Sequence, residues 1–247
     1  MPANERPHGA PHLSSEQWLD LLSSGEVEIE GRLPWSSNYS FLTTLSCGEL
    51  ERKAVYKPGR GERPLWDFGT GLYRREVAAY ELSAAYGLEL VPETVLRLDA
   101  PLDAGSLQRF VDADFEEHYF TLLEDPRHHD RLRELAGFDV LANNADRKGG
   151  HVLVDSEGAI WGIDNGLAFH SETKLRTVIW DFAGEPVPER ILEVCRSIVG
   201  DGVPSRLEPL LEPEELEALS RRARSMLKVR RLPAPRDDHR AYPWPLV

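Results

Sequence analysis

The chain has 247 residues, 41% of them hydrophobic, so it can bury a sizeable core as one bilobal unit or as two lobes. Its formal net charge of -13 argues against non-specific binding to nucleic acid or to an anionic membrane. No run of about 18 apolar residues occurs, and the polar N-terminus lacks the apolar core of a signal peptide. Two cysteines are too few for a disulfide scaffold. We therefore expect a cytoplasmic protein with no membrane anchor and no nucleic-acid partner.

The first 112 residues carry the patterns of a β-rich region with two helices. Residues 1–14 are expected to be disordered, and a capping serine, Ser14 or Ser15, predicts a helix at 15–24. Apolar periodicity then predicts strands and one helix in this order: strands at 26–33, 40–45 and 50–58, a helix at 72–86, and strands near 94–98 and 106–111. We expect an N-terminal lobe over residues 15–112.

From residue 113 the pattern turns mainly helical. Apolar residues at helical spacing predict helices at 116–123, 127–141, 175–182, 188–199 and 214–229. Between them, two short apolar runs at 152–154 and 160–163 flank a turn sequence and predict a β-hairpin. We expect a C-terminal lobe over residues 113–229 and a proline-rich tail or wrapping arm over residues 230–247. The fold class that these elements predict is α+β.

Two carboxylates, 18 residues apart, flank the predicted hairpin. Asp146 lies in a polar, glycine-bearing loop just before the hairpin, and Asp164 ends its second strand. Phosphoryl transfer needs a carboxylate to orient the acceptor hydroxyl, metal ions to bridge the phosphates, and a cation to hold the nucleotide. Asp146 and Asp164 are candidates for the first two roles, while a plain turn is the alternative interpretation of each.

A lysine stands at the end of the third predicted strand. The chain has five lysines against 24 arginines, and Lys57 precedes a proline and a glycine-rich loop. A compact ammonium suits a phosphate clamp, while a solvated strand end is the alternative. Glu76, in the first turns of the following helix, is the candidate acidic partner of Lys57. Glu81 on the same helix competes for that role, and a surface pair with Arg74 or Arg75 is the alternative for Glu76.

Six segments in this order resemble the type II phosphatidylinositol 4-kinases and the wider atypical, phosphatidylinositol 3-/4-kinase-like superfamily. They carry Lys57, Glu76, Asp146 and Asp164, together with residues 90–94 and 105–111. The resemblance covers roughly residues 26–185. We expect the nearest relatives to be a bacterial group of kinase-like proteins.

The resemblance implies a bilobal, protein-kinase-like fold with a β-rich N-lobe, a mainly helical C-lobe and ATP between them. It implies that Asp146 is catalytic with Lys148 beside the transferred phosphate, and that the metal ligands for Mg²⁺ or Mn²⁺ are Asp164 and His151. The residues that it places around the nucleotide are Lys57, Glu76, the turn residues Ser36, Ser37 and Asn38, and the hinge residues Gln108, Phe110 and Val111.

Two departures from the family pattern bear on activity. Residues 58–71 hold none of the cysteines that are lipidated in the type II lipid kinases, and His151 stands where the kinase pattern has asparagine. An imidazole ligand would favour Mn²⁺ over Mg²⁺, while a purely structural role is the alternative. We predict an ATP-dependent phosphotransferase, a kinase, that acts on a hydroxyl group of a protein or a small molecule. The alternatives are an AMP transferase with a kinase-like fold and a nucleotide-binding pseudokinase scaffold.

Overall fold

The computed structural model describes residues 12–33, 39–63, 65, 67–235 and 241–247. The α-helices in this part of the chain are α1 (Ser15–Ser24), α2 (Leu72–Ala85), α3 (Tyr119–Leu122), α4 (His129–Ala142), α5 (Glu189–Asp201) and α6 (Pro213–Val229). The strands are β1 (Glu26–Arg32), β2 (Phe41–Cys47), β3 (Leu50–Pro58), β4 (Thr94–Arg97), β5 (Gly105–Arg109), β6 (Val152–Val154) and β7 (Ile160–Gly162). Short 3₁₀ helices occupy Gly59–Gly61, Pro126–His128, Gly149–His151 and Ser205–Leu207.

An antiparallel five-stranded sheet, in the order β1-β2-β3-β5-β4, forms the N-terminal region. Side chains alternate across β3, so Ala54 and Tyr56 are buried on one face in a cluster with apolar residues of α1. Lys57 points to the opposite face, where α2 lies. The sheet therefore presents Lys57 from its middle strand toward α2.

The C-terminal region is helical, with a small hairpin of β6 and β7. Helices α4, α5 and α6 pack on one another, and their apolar faces share one core with residues of α2. Gly137 of α4 marks a close approach, because an added Cβ would lie 3.1 Å from the side chain of Ile191 in α5. A continuous core thus connects the sheet-bearing region to the helical region through α2.

The predicted α+β class is confirmed, and most predicted elements lie within a few residues of their expected positions. Two helices differ: the one expected at 116–123 is limited to α3, and the one expected at 175–182 is wrong, because that segment is not helical. There the N–H of Thr177 donates to Ala241 and the N–H of Val178 to Arg147. The buried apolar side chains that suggested a helix anchor an irregular segment instead.

Both ends of the described chain are packed on the body of the protein. Residues 1–14 were expected to be disordered, and residues 1–11 lie outside the described part of the chain. Leu13, however, is buried, and Ser14 forms a capping box with Gln17 at the start of α1. In the tail, Ala241 is buried and the carbonyl of Leu246 accepts from the N–H of Gly149 at 2.7 Å. The described tail residues therefore wrap against the C-terminal region. No helix in the described ranges is long and apolar enough to cross a membrane.

Candidate active site

The predicted lysine and its acidic partner meet in the interior of the N-terminal region. Nζ of Lys57 forms an ion pair with Oε1 of Glu76, whose side chain is only 3% exposed. The other oxygen of Glu76 accepts from the N–H of Asn165 at 2.9 Å. Glu76 therefore connects β3, α2 and the segment after β7. Burial works to lower the pKa of Lys57, but the carboxylates of Asp164 and Glu76 outweigh it and hold that pKa above its usual range.

Asp164 completes this group of charges from the helical region. Its Oδ1 lies 2.8 Å from Nζ of Lys57, and its Oδ2 lies 3.2 Å from Nε2 of His151. The residue has a φ of +57°, in the left-handed region that aspartate tolerates better than most residues. Burial works to raise the pKa of Asp164, but the Lys57 ammonium outweighs it and lowers that pKa. The side chain is still 43% exposed, so an ionised carboxylate faces solvent.

The segment after Asp164 is not the plain hairpin turn that its Asn-Gly sequence also fits. β7 ends at Gly162, and Asn165 is buried with its side chain fully engaged. Its amide donates to the carbonyl of Gly162 at 3.1 Å, and its Oδ1 accepts from Arg147 at 2.6 Å. This network fixes the backbone that presents Asp164.

Asp146 lies on the loop between α4 and β6, whose conformation its asparagines set. Asn143 ends α4 with a φ of +58°, and the side chain of Asn144 accepts from the N–H of Asp146 at 3.0 Å. Nζ of Lys148 lies 3.3 Å from Oδ2 of Asp146. Burial raises the pKa of Asp146 to about 6, against the opposing effect of the Lys148 ammonium. At neutral pH Asp146 is therefore mostly a carboxylate, but one that takes up a proton more readily than usual.

His151 uses both ring nitrogens within the chain. Its Nδ1 accepts from the N–H of Lys148 at 3.3 Å, which leaves Nε2 to donate to Asp164. Burial lowers the pKa of His151 to about 4, so the ring is neutral at physiological pH. A neutral imidazole that orients Asp164 is the arrangement that the structure shows at this position.

Lys57, Glu76, Asp146 and Asp164 line one cavity of about 40 Å³. The hinge residues do not line it, although all three are among the described residues. Gln108 lies in β5 between β3 and β4, and its side chain donates to Thr94 at 2.8 Å, so it is directed into the sheet. Phe110 and Val111 follow the end of β5 in a segment without regular secondary structure. Ser36, Ser37 and Asn38 lie outside the described residues.

Sequence reasoning missed a buried ion pair behind this cavity. Arg147 and Asp139 are 0% and 1% exposed, and the guanidinium donates one hydrogen bond of 2.9 Å to each carboxylate oxygen. Arg147 also donates to Ile163 and Asn165, so it joins α4, the Asp146 loop and the Asp164 segment. Asp139 falls on the apolar stripe of α4, and a carboxylate in such a stripe requires a buried partner. The position of Asp139 among apolar residues was therefore the sequence feature that could have predicted a buried ion pair.

A second missed contact comes from the segment after β3. Both carboxylate oxygens of Glu62 accept from N–H groups at the start of α2, from Gly71 at 2.7 Å and Tyr73 at 2.9 Å. Asp67 pairs with Arg176 at 3.4 Å, and Phe68 packs edge-on against His170. This segment therefore connects α2 with the chain beyond Asp164. No local sequence pattern predicts this contact, because Glu62 stands nine positions before Gly71, whose N–H group it binds.

Comparison with known proteins supports the fold and shows the family. No protein-family model matches the chain. A crystal structure of the Helicobacter pylori proinflammatory kinase CtkA is similar with a TM-score of 0.50 and 11% identity, over 85% of this chain and 94% of that chain. At that identity the likeness shows the fold alone, and the fold is kinase-like. Protein Rv2133c of Mycobacterium tuberculosis is 39% identical, over 91% of this chain and 94% of that protein. The chain therefore belongs to the same family as Protein Rv2133c.

Proposed function

We propose that this chain is an ATP-dependent phosphotransferase that transfers phosphate to a hydroxyl group of a protein or a small molecule. We also propose that it belongs to the atypical, phosphatidylinositol 3-/4-kinase-like superfamily, with motifs nearest those of the type II phosphatidylinositol 4-kinases. The observation that carries the proposal is Lys57, paired with both Glu76 and Asp164 in a cavity that Asp146 also lines. The similar structure from Helicobacter pylori is that of a kinase, in line with this proposal.

Each charged residue of the cavity has a distinct part in such a reaction. ATP supplies the phosphate when bound, and Mg²⁺ or Mn²⁺ neutralises charge on it. The Lys57 ammonium, held in place by Glu76, binds phosphate oxygens. The exposed part of Asp164 binds the divalent cation, and Asp146 orients the acceptor hydroxyl and takes its proton. Lys148, beside Asp146, stabilises negative charge on the group in transfer.

The donor set fits a nucleotide and its metal, but the cavity is narrow. An ammonium and a half-exposed carboxylate, 2.8 Å apart, are the ligands that a metal-bound triphosphate requires. One water occupies about 10–15 Å³ of such space, so a cavity of about 40 Å³ holds only a few waters. Its lining, which includes Tyr39 and Glu62, must therefore open for a triphosphate to bind. We propose that the segment carrying Glu62 shifts when nucleotide binds.

Nucleotide contacts beyond the phosphates are assigned by position in the fold. Phe110 and Val111, in the segment that links the two regions, are the proposed contacts for adenine. Gln108 is excluded from a direct side-chain contact in the described conformation, because its amide is used within the sheet. Ser36, Ser37 and Asn38 remain proposed phosphate contacts from the sequence.

His151 favours one alternative, a pseudokinase that binds nucleotide without turnover. Among the described residues, no group of three or more His, Cys, Asp or Glu side chains is arranged to hold a metal. His151 is bonded to Asp164 and the Lys148 backbone, so a second metal position needs Nε2 to leave Asp164. If Nε2 of His151 stays bound to Asp164, the chain binds nucleotide through Lys57 and Asp164 alone.

Labelled ATP distinguishes these functions. The protein is incubated with ATP labelled at the γ- or at the α-phosphate, in Mg²⁺ or Mn²⁺, with pooled hydroxyl-bearing acceptors and with itself, and products are measured by intact mass. The proposal predicts transfer of label from the γ-position only, lost in Asp146→Asn while ATP binding is kept. Transfer from the α-position would establish AMP transfer instead. Tight ATP binding with no transfer from either position would establish a pseudokinase.

A further inference from the structure

A second cavity, of about 230 Å³, lies in the C-terminal region. Its lining is mainly apolar and includes Val140 of α4, Met226 of α6, and Leu175 and Trp180 of the irregular segment between β7 and α5. Among the described residues, it shares no lining residue with the cavity around Lys57. A ligand in this second cavity would therefore bind separately from the nucleotide.

A cation with an unused donor lines this apolar cavity. Arg222 of α6 donates through Nε to the carbonyl of Leu141 at 2.7 Å and through Nη1 to that of His170 at 3.2 Å. Its Nη2 is buried and has no hydrogen-bond partner among the residues that the structure describes. Arg222 also forms no ion pair with any of those residues. Burial lowers the pKa of Arg222 only to about 10, so the guanidinium is charged at neutral pH.

A structural role explains only two of these three nitrogens. The Nε bond to the carbonyl of Leu141 complements the negative end of α4, and the Nη1 bond to His170 ties α6 to the segment after β7. Among the described residues, however, Nη2 remains a buried charged donor without a partner, which is unfavourable unless an anion or other acceptor completes it. The cavity beside it is where such an acceptor can lie.

We propose that this cavity binds a small carboxylate with an apolar body. The carboxylate accepts from Nη2 of Arg222, and the hydroxyls of Thr173 and Ser225 in the same lining offer further donors. An apolar cavity of about 150 Å³ is large enough to bind benzene, so about 230 Å³ has room for a ring and a short acidic chain. A single cation with one unused nitrogen suits a monoanion better than a phosphate dianion.

A ligand in this cavity would contact Asn143, which connects the loop that carries Asp146 with the chain that follows Asp164. Asn143 lines the cavity, and its amide donates to the carbonyls of His170 and Glu172 at 2.9 and 2.6 Å. The side-chain oxygen of Asn143 accepts from the N–H of Lys174 at 2.9 Å. The bound acid would therefore lie against the connection between the two loops of the candidate active site.

Paired charged and neutral ligands test this inference. Phenylacetate and its neutral isostere phenylacetamide are titrated by calorimetry and by ligand-observed NMR into the full chain, without nucleotide. We expect phenylacetate to bind at least about tenfold more tightly than the amide, because only the acid pairs with the guanidinium. Arg222→Gln should remove this difference. Arg221→Gln, on the same helix but exposed and paired with Glu217, is the matched control and should keep it.

A second variant keeps the test decisive if Arg222→Gln unfolds. Ser225 lines the cavity but is exposed, so Ser225→Trp should block the cavity while Arg222 stays in place. Loss of phenylacetate binding in this folded variant supports the proposal. Equal affinity for acid and amide, or binding unchanged in both variants, overturns it.

Discussion

Two groups of charged side chains lie close together in the molecule and differ in their access to solvent. The ion pair of Asp139 and Arg147 is fully buried, and its donors are matched by carboxylate and carbonyl oxygens. The group of Lys57, Glu76 and Asp164 is buried at one end, yet Asp164 is 43% exposed. The first group is inaccessible to solvent and can only stabilise the fold, whereas the second presents a carboxylate that a ligand can reach. Similar charges thus stabilise the fold in one place and, as we propose, bind a ligand in the other.

The two groups should therefore respond differently to substitution. Removing one partner of a buried pair leaves an uncompensated charge, which typically destabilises a protein by about 3–5 kcal/mol. Removing a member of the partly open group leaves charges that water can reach or that can bind a proton. We expect the first kind of change to act mainly on folding and the second mainly on ligand binding.

The largest effect is expected from Arg147→Met. Asp139 would be left buried without its cation, and the free energy of unfolding should fall by about 3–5 kcal/mol. Urea unfolding followed by circular dichroism measures this, with the exposed Arg221→Met as control. A loss below about 1 kcal/mol, the range of a surface pair, would show that this buried pair does not hold the fold.

Lys57→Met should weaken ATP binding by about tenfold or more while the fold is retained. The variant removes the ammonium that faces the cavity, and a charge-assisted hydrogen bond is typically worth about 1.5–3 kcal/mol. Lys53→Met is the matched control, because Lys53 lies on the same strand but pairs with Glu30 at the surface. Calorimetry that gives wild-type ATP affinity for Lys57→Met would contradict the assignment.

Asp164→Ala should abolish the extra thermal stability that a divalent metal adds to the ATP complex. The exposed carboxylate contributes metal binding, and a bound ligand raises the melting temperature by mass action. Melting curves with ATP, with and without Mg²⁺ or Mn²⁺, measure the effect. Asp130→Ala, at an exposed position of α4, should keep the full metal-dependent rise. If Asp164→Ala also keeps the full metal-dependent rise, Asp164 is not the metal ligand.

Turnover should decline below about pH 6, by about tenfold per pH unit. Burial raises the pKa of Asp146 to about 6, and the acceptor-orienting form is the carboxylate, which is lost as pH falls through that value. Because the Lys148 ammonium lowers this pKa, Lys148→Met should move the midpoint to higher pH. The pH profile of kcat measures both effects. A flat profile between pH 5 and 7 would remove Asp146 from this role.

The smallest effect is expected at His151. If His151 reaches a metal, activity should be higher in Mn²⁺ than in Mg²⁺, and His151→Asn should lower that ratio severalfold. Since burial lowers the pKa of His151 to about 4, the preference should persist from pH 7 down to pH 5. Initial rates in the two metals give the ratio. An unchanged ratio in His151→Asn would assign the residue to orienting Asp164 alone.

The sequence predicted those parts of the site that local pattern and order determine. The strand that ends at Lys57, the helix that carries Glu76 and the hairpin between Asp146 and Asp164 all have short-range signals, and the structure contains each of them. Their order along the chain then matched a known family. The meeting of Lys57, Glu76 and Asp164 follows from that match rather than from any single pattern.

The rest of the site depends on contacts between distant parts of the chain. The family resemblance implied a hinge role for Gln108, but only the pairing of β5 on both sides shows that its side chain is used within the sheet. Residues 175–182 have helical spacing, yet hydrogen bonds to Arg147 and Ala241 hold them irregular. Arg222 carries no signal in the sequence, because nothing in its neighbourhood along the chain reveals the cavity. Tertiary partners overrode local propensity at each of these positions.

A crystal structure with a non-hydrolysable ATP analogue and Mg²⁺ would show whether Lys57 and Asp164 form the nucleotide site. We expect Mg²⁺ on the Asp164 carboxylate at about 2.0–2.1 Å, phosphate oxygens on Nζ of Lys57, and the terminal phosphate nearest Asp146. We also expect that Asp139 and Arg147 keep their pairing unchanged. A nucleotide in the reverse orientation would indicate AMP transfer. A nucleotide bound away from Lys57 and Asp164 would contradict the account.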